Sequence, residues 1–219
     1  MIDALVGFVA RHGPEGAAQW LVEAMAAIGS PPDLAHLRVA IARAGRMLGD
    51  WKVSSFDTVG MHEAIGTHWR IRDFGRAALV LAALDRTSAE DQVALVEQLV
   101  RRGESGEQES VLKMLALLPR PERFVAAAID ACRSNTASVF GAIALDNPYV
   151  RDHFPQASFN QVVLKTIFVG LPVERIVGVA DRVNAELVRM VRDYAAERRA
   201  AGRSVPDDVG RIEKLMEAR

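Results

Sequence analysis

The chain has 219 residues, half of them hydrophobic and a quarter charged, a mixture that suits one globular domain and excludes a disordered chain. Its formal net charge of −1 gives no overall attraction for nucleic acid or anionic lipid, and its single cysteine, Cys132, excludes an intramolecular disulfide. No apolar run approaches the roughly twenty residues of a membrane span, and Asp3 stands where a secretory leader would carry a cation, so the cytoplasm is the expected location.

Helical periodicity begins at once. Ile2, Leu5, Val6 and Val9 repeat at three-and-four spacing, the mark of an amphipathic helix. Pro14 sits where a first turn accepts it, and Trp20, Leu21, Met25 and Ile28 carry a second helix to Gly29. Pro31 and Pro32 open a third, which runs through Leu34, Leu37, Ile41 and Met47 to Gly49. Residues 1–49 therefore form a helical lead-in. Residues 50–68 mix Gly, Ser, Thr and aromatics without a period and read as an irregular connection, either a packed linker or a functional loop.

Helices then follow closely from Arg76 to Arg86 and from Ser88 to Arg102. The second has acids at its head (Glu90, Asp91) and bases at its tail (Arg101, Arg102), which complement its dipole. Gly103 stops it, 105–118 follows, and Pro119 and Pro121 mark the next break. The segments 122–133, 136–145, 158–169 and 182–201 complete the set, and 204–219 is a short terminal helix or tail. Short connections favour antiparallel neighbours. The fold class is all-α, one structural domain of antiparallel helices. Its element lengths fit an irregular α-α superhelix of HEAT-like kind or a compact helical bundle.

From Ala131 onward the polar residues leave the amphipathic pattern. On the helix carrying FNQVVLK, Asn160, Gln161, Leu164, Lys165 and Phe168 lie along one stripe, so an amide and an ammonium group share it with large apolar groups. Buried polar groups of this kind need partners. Arg182 and Asn184 on the last long helix, Arg133 and Asn135 at a helix junction, and Asn147 and Tyr149 at the next helix stop are available. The set Arg133, Asn135, Asn147, Tyr149, Asn160, Gln161, Lys165, Arg182 and Asn184 reads in two ways. It is a pocket for a phosphorylated or prenylated metabolite, or a structural network of caps, turn amides and ion pairs.

The same segments carry a family resemblance. RSNTASVFGAIALDNPYVRDHF, NQVVLKTIFVG and RVNAELVRMVRDYAAERRAAGR resemble the hallmark stretches of the EboA family. Agreement extends upstream through THWRIRDFGRAALV, with Trp69, Asp73 and Arg76, and through GEQESVLKMLALLP. The resemblance spans residues 69–203, with the first sixty residues matching as a helical lead-in. The chain departs from the usual family pattern at Val150, Arg151 and Arg199. Membership implies a place in a gene cluster that also encodes a UbiA-type prenyltransferase and a TatD-like metal hydrolase, and that processes or moves secondary-metabolite precursors.

The expectation is a non-catalytic scaffold or carrier of such a cluster, with those enzymes as partners and a small-molecule ligand. The alternative is an enzyme of new type acting on a small phosphorylated or isoprenoid-derived compound. No cofactor and no metal is expected, because His12, His36, His62, His68 and His153 show no i, i+4 pair. Cys132 reads as a small buried hydrophobe, although Arg133 beside it could lower its pKa. Asp193 and Glu197, flanked by arginines, read as surface ion pairs rather than a catalytic carboxylate pair.

Overall fold

A computed structural model describes residues 1–54, 61–66 and 68–218, and the regular elements among them are helices. In chain order they are α1 (Ile2–His12), α2 (Ala17–Ala26), α3 (Leu34–Leu48), α4 (Ile71–Leu84), α5 (Asp91–Arg102), α6 (Ser105–Met114) and α7 (Val125–Ala131). There follow α8 (Ala137–Ala144), α9 (Pro148–His153), α10 (Gln156–Val169), α11 (Val179–Arg182), α12 (Ala185–Ala200) and α13 (Asp208–Glu217). No helix among the described residues is long and apolar enough to cross a membrane.

The helix α4 organises the N-terminal half. Its sequence, IRDFGRAALVLAAL, is apolar on nearly every side, and every residue in it except Arg72 is buried. A helix of that kind must be enclosed, and α1, α2, α3 and α6 enclose it. Phe8 of α1 stacks on Phe74 with ring centroids 3.9 Å apart, and Trp69 meets Phe74 edge-on at 5.2 Å. The Trp69 indole N–H donates to the Ala64 carbonyl at 2.8 Å, so this large ring is buried without an orphaned donor. Gly75 lets α3 approach: a Cβ there would lie 2.0 Å from Leu48 Cδ1.

The C-terminal half is stepwise instead. The helix α6 packs on α5 and α8, α8 on α10, α10 on α12, and α12 on α13. The all-α expectation holds among the described residues. A central helix wrapped by others is bundle packing, whereas neighbour-on-neighbour stacking is the solenoid habit.

Local chemistry explains where the observed boundaries differ from the expected ones. The helix α3 starts after the prolines, at Asp33, whose carboxylate accepts the backbone N–H groups of Ala35 (2.7 Å) and His36 (3.2 Å). The expected helix 182–201 is broken. Arg182 ends α11, Val183 and Asn184 are extended, and the Asn184 side chain caps α12 by accepting the Leu187 N–H at 3.0 Å. In the irregular connection, Val53, Ala64 and Ile65 are buried, and Val53 and Ile71 donate to the Trp69 and Trp51 carbonyls. Its residues 55–60 and 67 lie outside the described residues.

Candidate functional site

The polar stripe on α10 splits in two. Asn160 points inward and is 2 % exposed, whereas Gln161 is exposed. Asn160 and Asn184 exchange amide hydrogen bonds, Asn184 Nδ2 to Asn160 Oδ1 at 3.0 Å and the reverse at 3.2 Å. Gln156 Nε2 donates to Asn160 Oδ1 and to the Arg182 carbonyl. The Arg182 guanidinium donates to the carbonyls of Val150 (3.0 Å), Arg151 (2.8 Å) and Phe154 (2.8 Å) while lying 4.3 Å from the Phe159 ring centroid. These carbonyls end α9, where a cation belongs. Desolvation lowers the Arg182 pKa from its ordinary value, with Asp152 acting against that shift.

Asn147 and Tyr149 tie other elements together. Asn147 caps α9 by accepting the Tyr149 N–H, and its amide donates to the carbonyls of Leu112 (3.0 Å) and Ala142 (3.1 Å). The Tyr149 hydroxyl donates to the Pro121 carbonyl at 2.6 Å, and burial raises its pKa. Asn135 is exposed in the turn between α7 and α8.

Three of the nine residues share a cleft. Arg133, Gln161 and Lys165 line a cavity of about 460 Å³, the size of a small-molecule site. Ile129, Phe140, Phe154 and Val162 supply its apolar wall, and Cys132 and Ser158 complete the lining. Lys165 is fixed where it stands. Its ammonium donates to the carbonyls of Cys132 (2.6 Å) and Ser134 (2.8 Å), just past the end of α7, and sits 4.8 Å from the Phe140 ring centroid. Arg133 stays in solvent, 80 % exposed, 3.3 Å from Asp130. Burial pushes the Cys132 thiol up to about 12, with Lys165 pulling the other way, so it is a protonated wall group rather than a nucleophile. The cleft is thus apolar within and cationic at its edge.

A second polar assembly lies under the N-terminal half. Asp73, Arg76, Ser110 and Lys113 are all buried. Asp73 Oδ2 accepts from Lys113 Nζ at 2.8 Å and from the Arg70 N–H at 2.9 Å, and Asp73 Oδ1 accepts from the Ser110 hydroxyl at 2.5 Å. Arg76 donates to the carbonyls of Ile41 (3.0 Å) and Gly106 (2.6 Å) and to Ser110 Oγ (2.9 Å), joining α3, α4 and α6. Asp73 and Arg76 belong to the segment that carries the family resemblance, and nothing in their spacing assigns them a chemical role. Three charges, Arg72, Asp73 and Arg76, inside an otherwise apolar helix were the available signal. Among the described residues, no three His, Cys, Asp or Glu side chains gather as a metal set.

A family model described as "Metabolite traffic protein EboA" matches residues 1–214. The match takes in the N-terminal helices, which the sequence segments alone placed as a lead-in. No curated protein and no solved structure gives a match.

Proposed function

The chain belongs to the EboA family, and from that premise we propose that it is a non-catalytic helical carrier of an ebo-type gene cluster. It holds a lipophilic secondary-metabolite precursor, prenylated in the simplest case, and hands it between enzymes of that cluster. The reading is carried by the family match over nearly the whole chain, whose description is that of a metabolite traffic protein. The cleft between α7, α8 and α10 supports it. An apolar wall of Ile129, Phe140, Phe154 and Val162 suits a hydrocarbon, and Lys165 and Arg133 at the edge suit a polar or anionic end. Lys165 needs no rearrangement to do this, because two backbone carbonyls already hold it.

In this reading the nine polar residues divide their labour. Arg133, Gln161 and Lys165 face the cargo. Asn147, Tyr149, Asn160, Arg182 and Asn184 hold α8, α9, α10 and α12 in the arrangement that forms the wall, and Asn135 stays at the surface. The docking partners are the prenyltransferase and the TatD-like hydrolase encoded beside it. The test is to purify the tagged chain from cells that express the whole cluster and analyse both proteins and small molecules. Recovery of one of those enzymes, with a lipophilic compound retained by the wild type and lost from Ser158→Trp, is expected. A chain that emerges alone and empty would contradict the carrier role.

A further inference from the structure

A second cleft, of about 400 Å³, opens against a different face of α8 from the one that carries Phe140. Small residues of α8 make its floor: Ala137, Ser138, Gly141 and Ala142. Lys52, Arg70, Lys113 and Arg175 line it with one carboxylate, Glu109.

The cations are held from behind. Lys113, whose side chain is 9 % exposed, gives two hydrogens to the His68 carbonyl (3.0 Å) and Asp73 (2.8 Å), and keeps a third. Arg70 pairs with Asp50 at 3.2 Å, and Arg175 pairs with Asp146, its Nε at 3.0 Å from Oδ2. Asp50, Asp73 and Asp146 are absent from the cleft lining, so they orient the cations without covering them. No carboxylate among the described residues pairs with Lys52. His68 also lines the cleft. Its Nε2 is buried with no hydrogen-bond partner among the described residues, and such a group gains from any ligand that engages it. The imidazole is neutral near pH 7, because desolvation and then Lys113 lower its pKa to about 4. Ala137 and Ser138 open α8 at the cleft, adding the positive end of its dipole.

We propose that this basic cleft binds the phosphate or diphosphate group of a small anionic ligand. Lys52, Arg70, Lys113 and Arg175 supply the donors, and the small residues of α8 give the group room to approach. The inference stands apart from the carrier reading, since it rests on different residues and a different face of α8. Four cations thus line the cleft against one carboxylate, Glu109, which forms no ion pair with any of them among the described residues.

The test is calorimetric titration of the full chain with inorganic pyrophosphate, in parallel with flotation on phosphatidylcholine vesicles doped with phosphatidic acid. Three variants accompany it. Lys52→Ala removes the cation with no carboxylate among its described neighbours and is expected to weaken binding about tenfold, the usual scale of one charge-assisted hydrogen bond. Glu109→Gln removes the opposing charge and is expected to strengthen binding. Gly141→Leu fills the floor and is expected to abolish it. A Cβ at Gly141 meets nothing nearer than Leu145 Cδ1 at 3.9 Å, and an unchanged melting temperature of this variant shows that the fold accepts the rest of the side chain. Saturable pyrophosphate binding with this ordering supports a soluble ligand, and vesicle binding with the same ordering supports a phosphate headgroup. The proposal is overturned by absent binding in both arms, or by binding that all three variants leave unchanged.

Discussion

Asp73 and Lys113 face each other with side chains 2 % and 9 % exposed, and every oxygen of the carboxylate is engaged. Removing one partner leaves the other charged and buried, which costs about 3–5 kcal/mol, whereas replacing both with apolar groups costs far less. Asp73→Ala is therefore expected to lower the unfolding free energy read from urea denaturation by that amount, and Asp73→Leu combined with Lys113→Met to recover much of it. Equal losses in the single and double variants would show that the pair is not the source. His68 gives a pH signature. Its pKa falls from 6.5 to about 4 on folding, so between those values the unfolded chain binds the extra proton. The stability present above pH 6.5 is lost as pH falls towards 4. Urea midpoints of His68→Gln should fall less steeply over that window than those of the wild type, and parallel curves would exclude His68 as the source.

At the level of elements, the close approach of α3 to α4 depends on a missing side chain. With Leu48 Cδ1 only 2.0 Å from the place of a Cβ, Gly75→Ala forces a buried leucine or a helix to shift. Overpacking of this kind costs about 1–3 kcal/mol, despite the better helix propensity of alanine. Chemical denaturation would read that loss, and an unchanged or raised midpoint would mean the interface yields freely. The expected helix from Arg76 missed residues 71–75, the first turn of α4, whereas its later turns, the charged ends of α5 and the glycine after it were legible in the sequence because each is a local signal. The break at Val183 was not. Val183, Leu187, Val188 and Val191 continue a helical rhythm in sequence, and the chain departs from it because the Asn184 side chain takes the Leu187 N–H and Arg182 is held by the end of α9. That decision is made by α9, which lies some thirty residues away in the chain.

Across the whole molecule, a bundle around α4 is joined to a stepwise series from α6 to α13, and both clefts lie against α8 in the second half. The sequence marked that region by its polar residues without separating lining from support. Gln161 and Asn160 are neighbours in the chain, yet one lines the cleft and the other is sealed against Asn184. Only the azimuth of α10 against α12 separates them, and packing sets that azimuth. The basic cleft was hidden more fully, because Lys52, Arg70, Lys113 and Arg175 come from widely spaced segments.

The carrier reading is tested most directly by titrating the purified chain with a prenyl alcohol such as farnesol, with Ser158→Trp as the blocked variant. Ser158 lines the cleft and is half-buried, so the substitution fills the cavity without removing a core residue. One-to-one binding by the wild type, weakened at least about tenfold in Ser158→Trp at unchanged melting temperature, is the expected result. Binding that is absent from the wild type, or that survives intact in the blocked variant, would contradict the assignment of this cleft to a lipophilic cargo.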